Sequence, residues 1–238
     1  MTDLTALKQE NAARWRNAKA TRNFSSVAAH LVAPVAKARY QAVEKRTGVP
    51  WYFIAVAHER EASQRWDTQL GQGDPLNGTS VHVPKGRGPF ATWEAGAVDA
   101  LVNCAPYPAR NKDFSIGGLL TMLESYNGLG YANRGLPSPY VWSGTDQYKS
   151  GKYVSDGVFN PNVIDAQLGC AGLLIAMAAL DRTISFDGKM PPIVILPSTP
   201  HPLPPDIPKP ESPSITNPAS GSIGAAIAAI FNAIFRRK

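Results

Sequence analysis

The stretch that decides the fold is PWYFIAVAHEREAS, residues 50–63. Pro50 suits the first turn of a helix, because its ring presets the backbone and its missing N–H would have no partner there. The following residues are apolar on nearly all sides until His58, where charge begins abruptly. A helix that is apolar all round is buried. We therefore expect a central core helix whose charged end emerges at a cleft or at the surface.

Other segments with helical spacing are expected to pack around this helix. Gly48 provides a helix stop before it, and Ser115 is a suitable N-cap after it. The predicted surrounding helices are 3–22, 26–47, 92–103, 115–126 and 162–182. The predicted fold is mainly α, of α+β type: a helical bundle around a buried central helix, with a small β-hairpin insertion.

Two long segments between these helices are rich in glycine and aromatic residues. Residues 67–93 contain the alternating stretch 79–83, which predicts a loop with a small β-hairpin. Residues 127–161 are predicted to form a second long loop. Long loops in compact domains are usually functional, and Trp, Tyr and Asn suit flat polar ligands such as sugar rings. The alternative is ordinary surface loops packed by their own aromatic residues.

Proline placement divides the chain, because 11 of its 21 prolines lie in residues 190–218. Each proline removes a backbone donor and fixes φ, so this density is incompatible with a packed domain. We predict a domain over 1–189, a Pro-rich linker over 190–220 and a short helical tail over 221–238. The tail has an apolar helical stripe and ends in Arg-Arg-Lys. Contact with an anionic membrane or lipopolysaccharide is expected, while folding back onto the core or binding a partner protein remain open.

The net charge of +6 is carried by the two ends of the chain. Residues 1–46, predicted to be the basic helical part of the domain, hold nine Lys and Arg against three acidic residues. This excess suggests an anionic polymer such as peptidoglycan, and a solvated helix face is the alternative. Nucleic acid is disfavoured because no nucleic-acid motif accompanies the charge. A monomer is expected.

The cysteine content and the N-terminal residues indicate where in the cell the protein is made. Cys104 and Cys170 are too few for a disulfide scaffold, so buried thiols are favoured over a single bridge. The first residues lack a basic region followed by an apolar run, and no apolar run of about 18 residues occurs. We expect synthesis in the cytoplasm without a signal peptide, so any extracellular action would need another exit route.

The charged end of the central helix carries the candidate chemistry. The zinc-binding pattern HExxH needs a second histidine where Ala62 stands, so no metal site or cofactor is predicted. A carboxylic acid at the edge of an apolar helix is partly desolvated, which raises its pKa and lets it donate a proton to a glycosidic oxygen. Glu59 and Glu61 lie about 200° apart around a helix and cannot share a face. The helix pattern leaves open which one is the acid, or whether Arg60 merely pairs with one of them.

The stretch HEREASQRWDTQLGQGDPL, residues 58–76, resembles the segment around the catalytic glutamate in the lysozyme superfamily. Goose-type lysozymes, soluble lytic transglycosylases and phage muramidase-like proteins are the most similar groups. The resemblance covers roughly residues 45–185. It continues through WEAGAVDAL (93–101), LESYNGLGY (123–131) and SPYVWSG (138–144).

The resemblance implies a peptidoglycan muramidase, such as a phage or prophage endolysin, that cleaves the β-1,4 bond between N-acetylmuramic acid and N-acetylglucosamine. It assigns Glu61 as the general acid and places Tyr126 and Asn127 in the saccharide cleft. The chain departs from the family pattern at Ala62 and Gln72, and neither change removes a proton donor. The further candidate substrate-binding residues are Glu124, Tyr131, Tyr140 and Trp142.

Hydrolysis also needs a group that places water. A second carboxylate lies about 6.5–9.5 Å away in inverting enzymes and about 5–5.5 Å away in retaining ones. Asp67 and Asp74, in the loop after the central helix, are candidates, and Glu124 is a third. Related transglycosylases instead use the 6-hydroxyl of the substrate. Hydrolysis is favoured because acidic residues are available, while a transglycosylase, a chitin- or chitosan-cleaving enzyme and a non-catalytic saccharide-binding protein remain alternatives.

Overall fold

The computed structural model describes residues 2–155 and 157–186. The predicted linker over 190–220 and the predicted tail helix over 221–238 lie outside the described residues, as does the predicted domain boundary at 189. Those three predictions therefore stay predictions.

The described part of the chain is mainly helical, with one small antiparallel sheet. This agrees with the predicted fold class at the level of mainly α with a small hairpin. The helices are α1 (Leu4–Asn17), α2 (Ser25–Leu31), α3 (Pro34–Thr47), α4 (Trp51–Ala62), α5 (Trp93–Asn103), α6 (Ile116–Tyr126), α7 (Pro139–Trp142) and α8 (Cys170–Leu180). The strands are β1 (Lys152–Ser155) and β2 (Val158–Asn160), and 3-10 turns occur at Pro108–Arg110 and Ala132–Arg134.

The central helix is α4, as predicted. Its residues from Phe53 to His58 are fully buried, because no face of this segment is polar enough to meet water. α3, α6 and α8 all pack against it. α1 packs along α6, α2 along α8 and α5 along α3, which completes the bundle. The charged last turn of α4 is thereby held at one edge of the core.

Three predicted helices are longer than the observed ones. The single helix expected over 26–47 is wrong: α2 ends at Leu31 and α3 begins at Pro34. Proline cannot donate the helical hydrogen bond and suits the first position of a new helix instead. The predicted stop at Gly48 is confirmed, since this residue caps α3 with φ of 72°.

The first predicted helix ends earlier than expected, and the last one begins later than expected. α1 ends at Asn17, because the chain then pairs with a distant segment: the Lys19 amide donates to Asp146 and Ala20 forms a bridge with Thr145. Residues 162–169 precede α8 as irregular chain.

The predicted position of the β-hairpin is wrong. Residues 79–83 form no strand, and the amides of Val81 and His82 donate to the Asp74 carboxylate instead of to a partner strand. Val81 is 66% exposed, so the alternation does not face a core. The observed hairpin, β1–β2, lies inside the predicted loop 127–161, with Tyr153 opposite Phe159.

Cys104 and Cys170 are both free and buried, which confirms the favoured prediction. Within residues 2–155 and 157–186, no helix combines the length and apolar character needed to cross a membrane.

Four of the nine basic residues in 1–46 form ion pairs within the fold: Lys8 with Asp113, Arg14 with Glu10, Lys37 with Asp181, and Arg39 with Glu94. These pairs reduce the positive charge that the segment offers to an anionic polymer.

Candidate active site

Glu61 lies in the last turn of α4, partly buried beside α7. The hydroxyl of Tyr140 donates a hydrogen bond of 2.9 Å to its Oε1. Burial raises the pKa of Glu61 to about 7, although the Tyr140 hydrogen bond and the charge of Arg60 both lower it. A carboxyl group with this pKa is protonated for about half of the time at neutral pH, which suits proton donation.

Two tyrosines surround this carboxyl group. Tyr140, on α7, and Tyr126, at the end of α6, are both buried, and burial together with the charge of Glu61 raises the pKa of each well above its usual range. Both hydroxyls therefore stay neutral donors. Tyr126 donates to the Leu70 carbonyl at a long 3.5 Å. Three helices and the loop after α4 thus meet at Glu61.

Asn127 follows Tyr126 directly and ends α6. It is 5% exposed, and within the described residues its side-chain amide makes no hydrogen bond. The predicted role of this residue in ligand contact stays a prediction. The structure thus brings Glu61, Tyr126, Asn127 and Tyr140 to one region.

Glu59, the alternative acid, has different neighbours. Its Oε2 accepts a hydrogen bond of 2.7 Å from Gln64, and its negative charge acts on Tyr40 of α3. Its charge also acts on Cys170 of α8, and Tyr140 donates to Glu61 and not to Glu59. The geometry favours Glu61 as the proton donor.

A buried ion pair anchors the same turn of α4 to the β-hairpin. Nη2 of Arg60 donates to Oδ2 of Asp165 at 2.8 Å, and Lys152 at the start of β1 donates to Oδ1, also at 2.8 Å. Burial opposes ionisation of Asp165, but the two cations outweigh it and hold the pKa of this carboxyl below its usual value. Asp165 also neutralises part of the Arg60 charge, which leaves less of it to lower the pKa of Glu61.

The two loop carboxylates predicted to assist catalysis are engaged elsewhere. Asp67 is 72% exposed in its side chain and forms two hydrogen bonds of 3.1 Å with Arg65, which lowers its pKa. Asp74 is buried and accepts from the amides of Val81 and His82 and from Nδ1 of His82 at 2.7 Å. Its prediction as a catalytic group is corrected: it holds the loop together.

Glu124 is a second buried carboxyl group with a raised pKa, also about 7 and also because of burial. It stands two residues before Tyr126, about 200° around α6, and contacts Asn11 on α1. The structure therefore separates Glu124 from the Glu61 region, against the prediction that it contacts the same substrate.

Two aromatic candidates are structural in this fold. Trp142 is fully buried and its Nε1 donates to Asn11 at 3.3 Å, so it belongs to the core and not to a cleft, which corrects its prediction as a substrate contact. Tyr131 is buried as well, and its hydroxyl accepts from the Tyr153 amide while its ring packs edge-on against the Tyr153 ring. It supports the hairpin next to the site.

His58 has a role that the sequence did not predict. Its Nε2 lies 2.9 Å from the Arg65 carbonyl, which only accepts, so Nε2 carries the proton and Nδ1 accepts from Tyr40 at 3.0 Å. Burial lowers the pKa of His58 to about 4, and the ring stays neutral. It thereby fixes the turn that follows Glu61. The failed HExxH pattern had marked this histidine, but only as a metal ligand.

Within residues 2–155 and 157–186, no three His, Cys, Asp or Glu side chains are grouped to hold a metal ion.

Comparisons of this chain with protein-family models, with curated proteins and with solved structures found no match. The resemblance of residues 45–185 to the lysozyme superfamily therefore stays a prediction from the sequence.

Proposed function

We propose that this protein is a peptidoglycan-cleaving glycosidase, a muramidase that cuts the β-1,4 bond between N-acetylmuramic acid and N-acetylglucosamine with Glu61 as general acid. The observation that carries the proposal is the partly buried Glu61, held by Tyr140 and with its pKa raised to about 7. A phage or prophage endolysin is the setting that this activity fits, with the cell wall as the place of action.

The hydrogen bond from Tyr140 orients the proton. Because the tyrosine hydroxyl donates to Oε1, the neutral acid carries its own proton on Oε2, where it is free to face a leaving oxygen. As the bond between the anomeric carbon and that oxygen breaks, the proton moves to the oxygen and Glu61 becomes a carboxylate. Tyr140 and the nearby charge of Arg60 stabilise the carboxylate that forms.

A lytic transglycosylase is the second candidate, and a specific observation favours it. The predicted water-placing residues have other partners: Asp67 pairs with Arg65 in solvent, and Asp74 binds the loop around His82. The charges acting on Glu61 in the described part of the chain include no carboxylate. One acid is sufficient when the 6-hydroxyl of the substrate attacks the anomeric carbon. Hydrolysis would yield reducing ends, and transglycosylation would yield anhydro ends that are one water lighter.

Lysis of outer-membrane-stripped bacteria, followed as loss of turbidity, tests the proposal. Glu61→Gln keeps the shape of the side chain but cannot donate the proton, and we expect its rate to fall by about 100-fold or more. Glu59→Gln is the matched control on the same helix and should retain most of the activity. Equal lysis by wild type and Glu61→Gln would refute Glu61 as the acid. Mass spectrometry of the wild-type fragments then distinguishes hydrolysis from transglycosylation.

A non-catalytic saccharide-binding protein is distinguished by the same samples. It would sediment with purified peptidoglycan and release no soluble fragments. Binding by Glu61→Gln together with loss of fragment release is the result expected for an enzyme.

A further inference from the structure

A pocket of about 180 Å³ lies between α1, the end of α6 and residues 132–137, on the other side of α6 from Tyr126. We call it the α1–α6 pocket. This volume is several times what a single water molecule occupies, so the pocket has room for a small molecule. Its lining residues are Thr2, Asp3, Ala6, Leu7, Glu10, Asn11, Arg14, Glu124, Ala132, Gly135, Leu136 and Pro137.

The orientation of Asn11 determines which oxygen of Glu124 is engaged. Nε1 of Trp142 can only donate, so Oδ1 of Asn11 faces it at 3.3 Å. The Asn11 amide nitrogen therefore faces α6, where it donates to Thr121 at 3.1 Å and to Oε2 of Glu124 at 3.4 Å. This network satisfies Oε2 and fixes the carboxyl group in place.

The other oxygen of Glu124 has no partner. Oε1 is buried without a hydrogen bond in the described structure, and the residue as a whole is 1% exposed. An unsatisfied buried carboxyl oxygen costs free energy, and such a group in a pocket wall points to a ligand that completes it.

The charges around the pocket select the kind of ligand. Asp3, Glu10 and Glu124 line it against one cation, Arg14, which already pairs with Glu10. Oδ1 of Asp3 accepts from two amides of the first turn of α1, the amides of Thr5 and Ala6. The three carboxyl groups are not grouped closely enough to hold a metal ion. Leu7, Leu136 and Pro137 add apolar wall.

We propose that the α1–α6 pocket binds a small organic cation: a primary ammonium group on a short carbon chain. The ammonium group donates to Oε1 of Glu124, and the carbon chain lies against Leu7, Leu136 and Pro137. This site is separate from the Glu61 region and does not depend on the proposed glycosidase activity.

Binding of a cation by this pocket depends on pH. Burial raises the pKa of Glu124 to about 7, the charge of Glu10 adds to the rise, and Arg14 opposes it. A primary amine stays charged below about pH 10. The affinity therefore rises between pH 5.5 and pH 8 as Glu124 ionises.

The probe is n-pentylamine, with n-pentanol as the neutral control of the same length, titrated into the full chain and followed by NMR chemical shifts. At pH 8 we expect saturable binding of pentylamine that is at least about tenfold tighter than that of pentanol, the factor expected for one hydrogen bond to a charged group. Glu124→Gln should remove this preference, and Glu59→Gln should leave it unchanged.

Equal binding of amine and alcohol, no saturable amine binding, or an unchanged preference in Glu124→Gln would each overturn the proposal. Leu136→Trp places bulk at the exposed wall of the pocket and tests the same site without touching the buried network. If Glu124→Gln does not fold, loss of amine binding in Leu136→Trp supports the proposal and retained binding refutes it. No peptidoglycan is present in these titrations, so their outcome is independent of the cleavage assay.

Discussion

Tyr140→Phe removes one hydrogen bond from the proposed acid and leaves the ring in place. The hydroxyl lies 2.9 Å from Oε1 of Glu61 and stabilises the carboxylate over the neutral acid, so its loss raises the pKa. A hydrogen bond of this kind contributes about 1–1.5 kcal/mol, which corresponds to about one pKa unit. From about 7, the pKa of Glu61 should therefore rise to about 8.

The pH dependence of the lysis rate measures this change. The rate falls at high pH as Glu61 loses its proton, so the descending limb should move about one unit upward in the variant. Tyr126→Phe is the control, because the Tyr126 hydroxyl donates to the Leu70 carbonyl and not to Glu61. A limb that stays in place or moves downward in Tyr140→Phe would refute the reasoning.

Three further predictions concern stability and the loop. Burial raises the pKa of Glu61 from 4.5 to about 7, so over this pH interval the folded state binds more protons than the unfolded state and loses stability as pH rises. In urea unfolding at pH 8, Glu61→Gln should therefore be up to about 3 kcal/mol more stable than wild type. At pH 4 the two proteins should have nearly equal free energies of unfolding. Asp165→Asn leaves the buried Arg60 without its carboxylate and should cost about 3–5 kcal/mol, and a loss below 1 kcal/mol would contradict the buried pair. Asp74→Asn should increase proteolysis of the loop while Glu61 keeps its pKa, whereas lost activity with an unchanged cleavage pattern would restore Asp74 as a catalytic candidate.

The central helix was predictable because the signal is local. An apolar run that ends abruptly in charge defines α4 and places Glu61 at its edge, whatever the rest of the chain does. The N-cap at Ser115 and the stop at Gly48 were predictable for the same reason, since caps depend on one residue and its immediate neighbours.

Two of the contacts that the sequence did not predict involve residues whose partners are distant in the chain. The partner of Arg60 is 105 residues away, and that of Trp142 is 131 residues away, so composition could not indicate an ion pair or a core tryptophan. Asp74 looked like a spare carboxylate because its partners are backbone amides, which every residue has. The hairpin was misplaced because alternation at 79–83 resembles a strand, although no apolar surface lies beneath it.

The contact between Glu61 and Tyr140 also has a consequence for the order of events during synthesis. Tyr140 is 79 residues downstream of Glu61, and Asp165 is further still. A nascent chain that ends before these residues has an α4 sequence but no enclosure around its last turn, and Glu61 is then an ordinary exposed carboxylate. Burial raises its pKa, and the buried Tyr126 and Tyr140 that surround the carboxyl group come from distant segments, whose contacts close slowly relative to local ones. The Glu61 carboxyl group thus acquires its raised pKa only after these distant segments have been made.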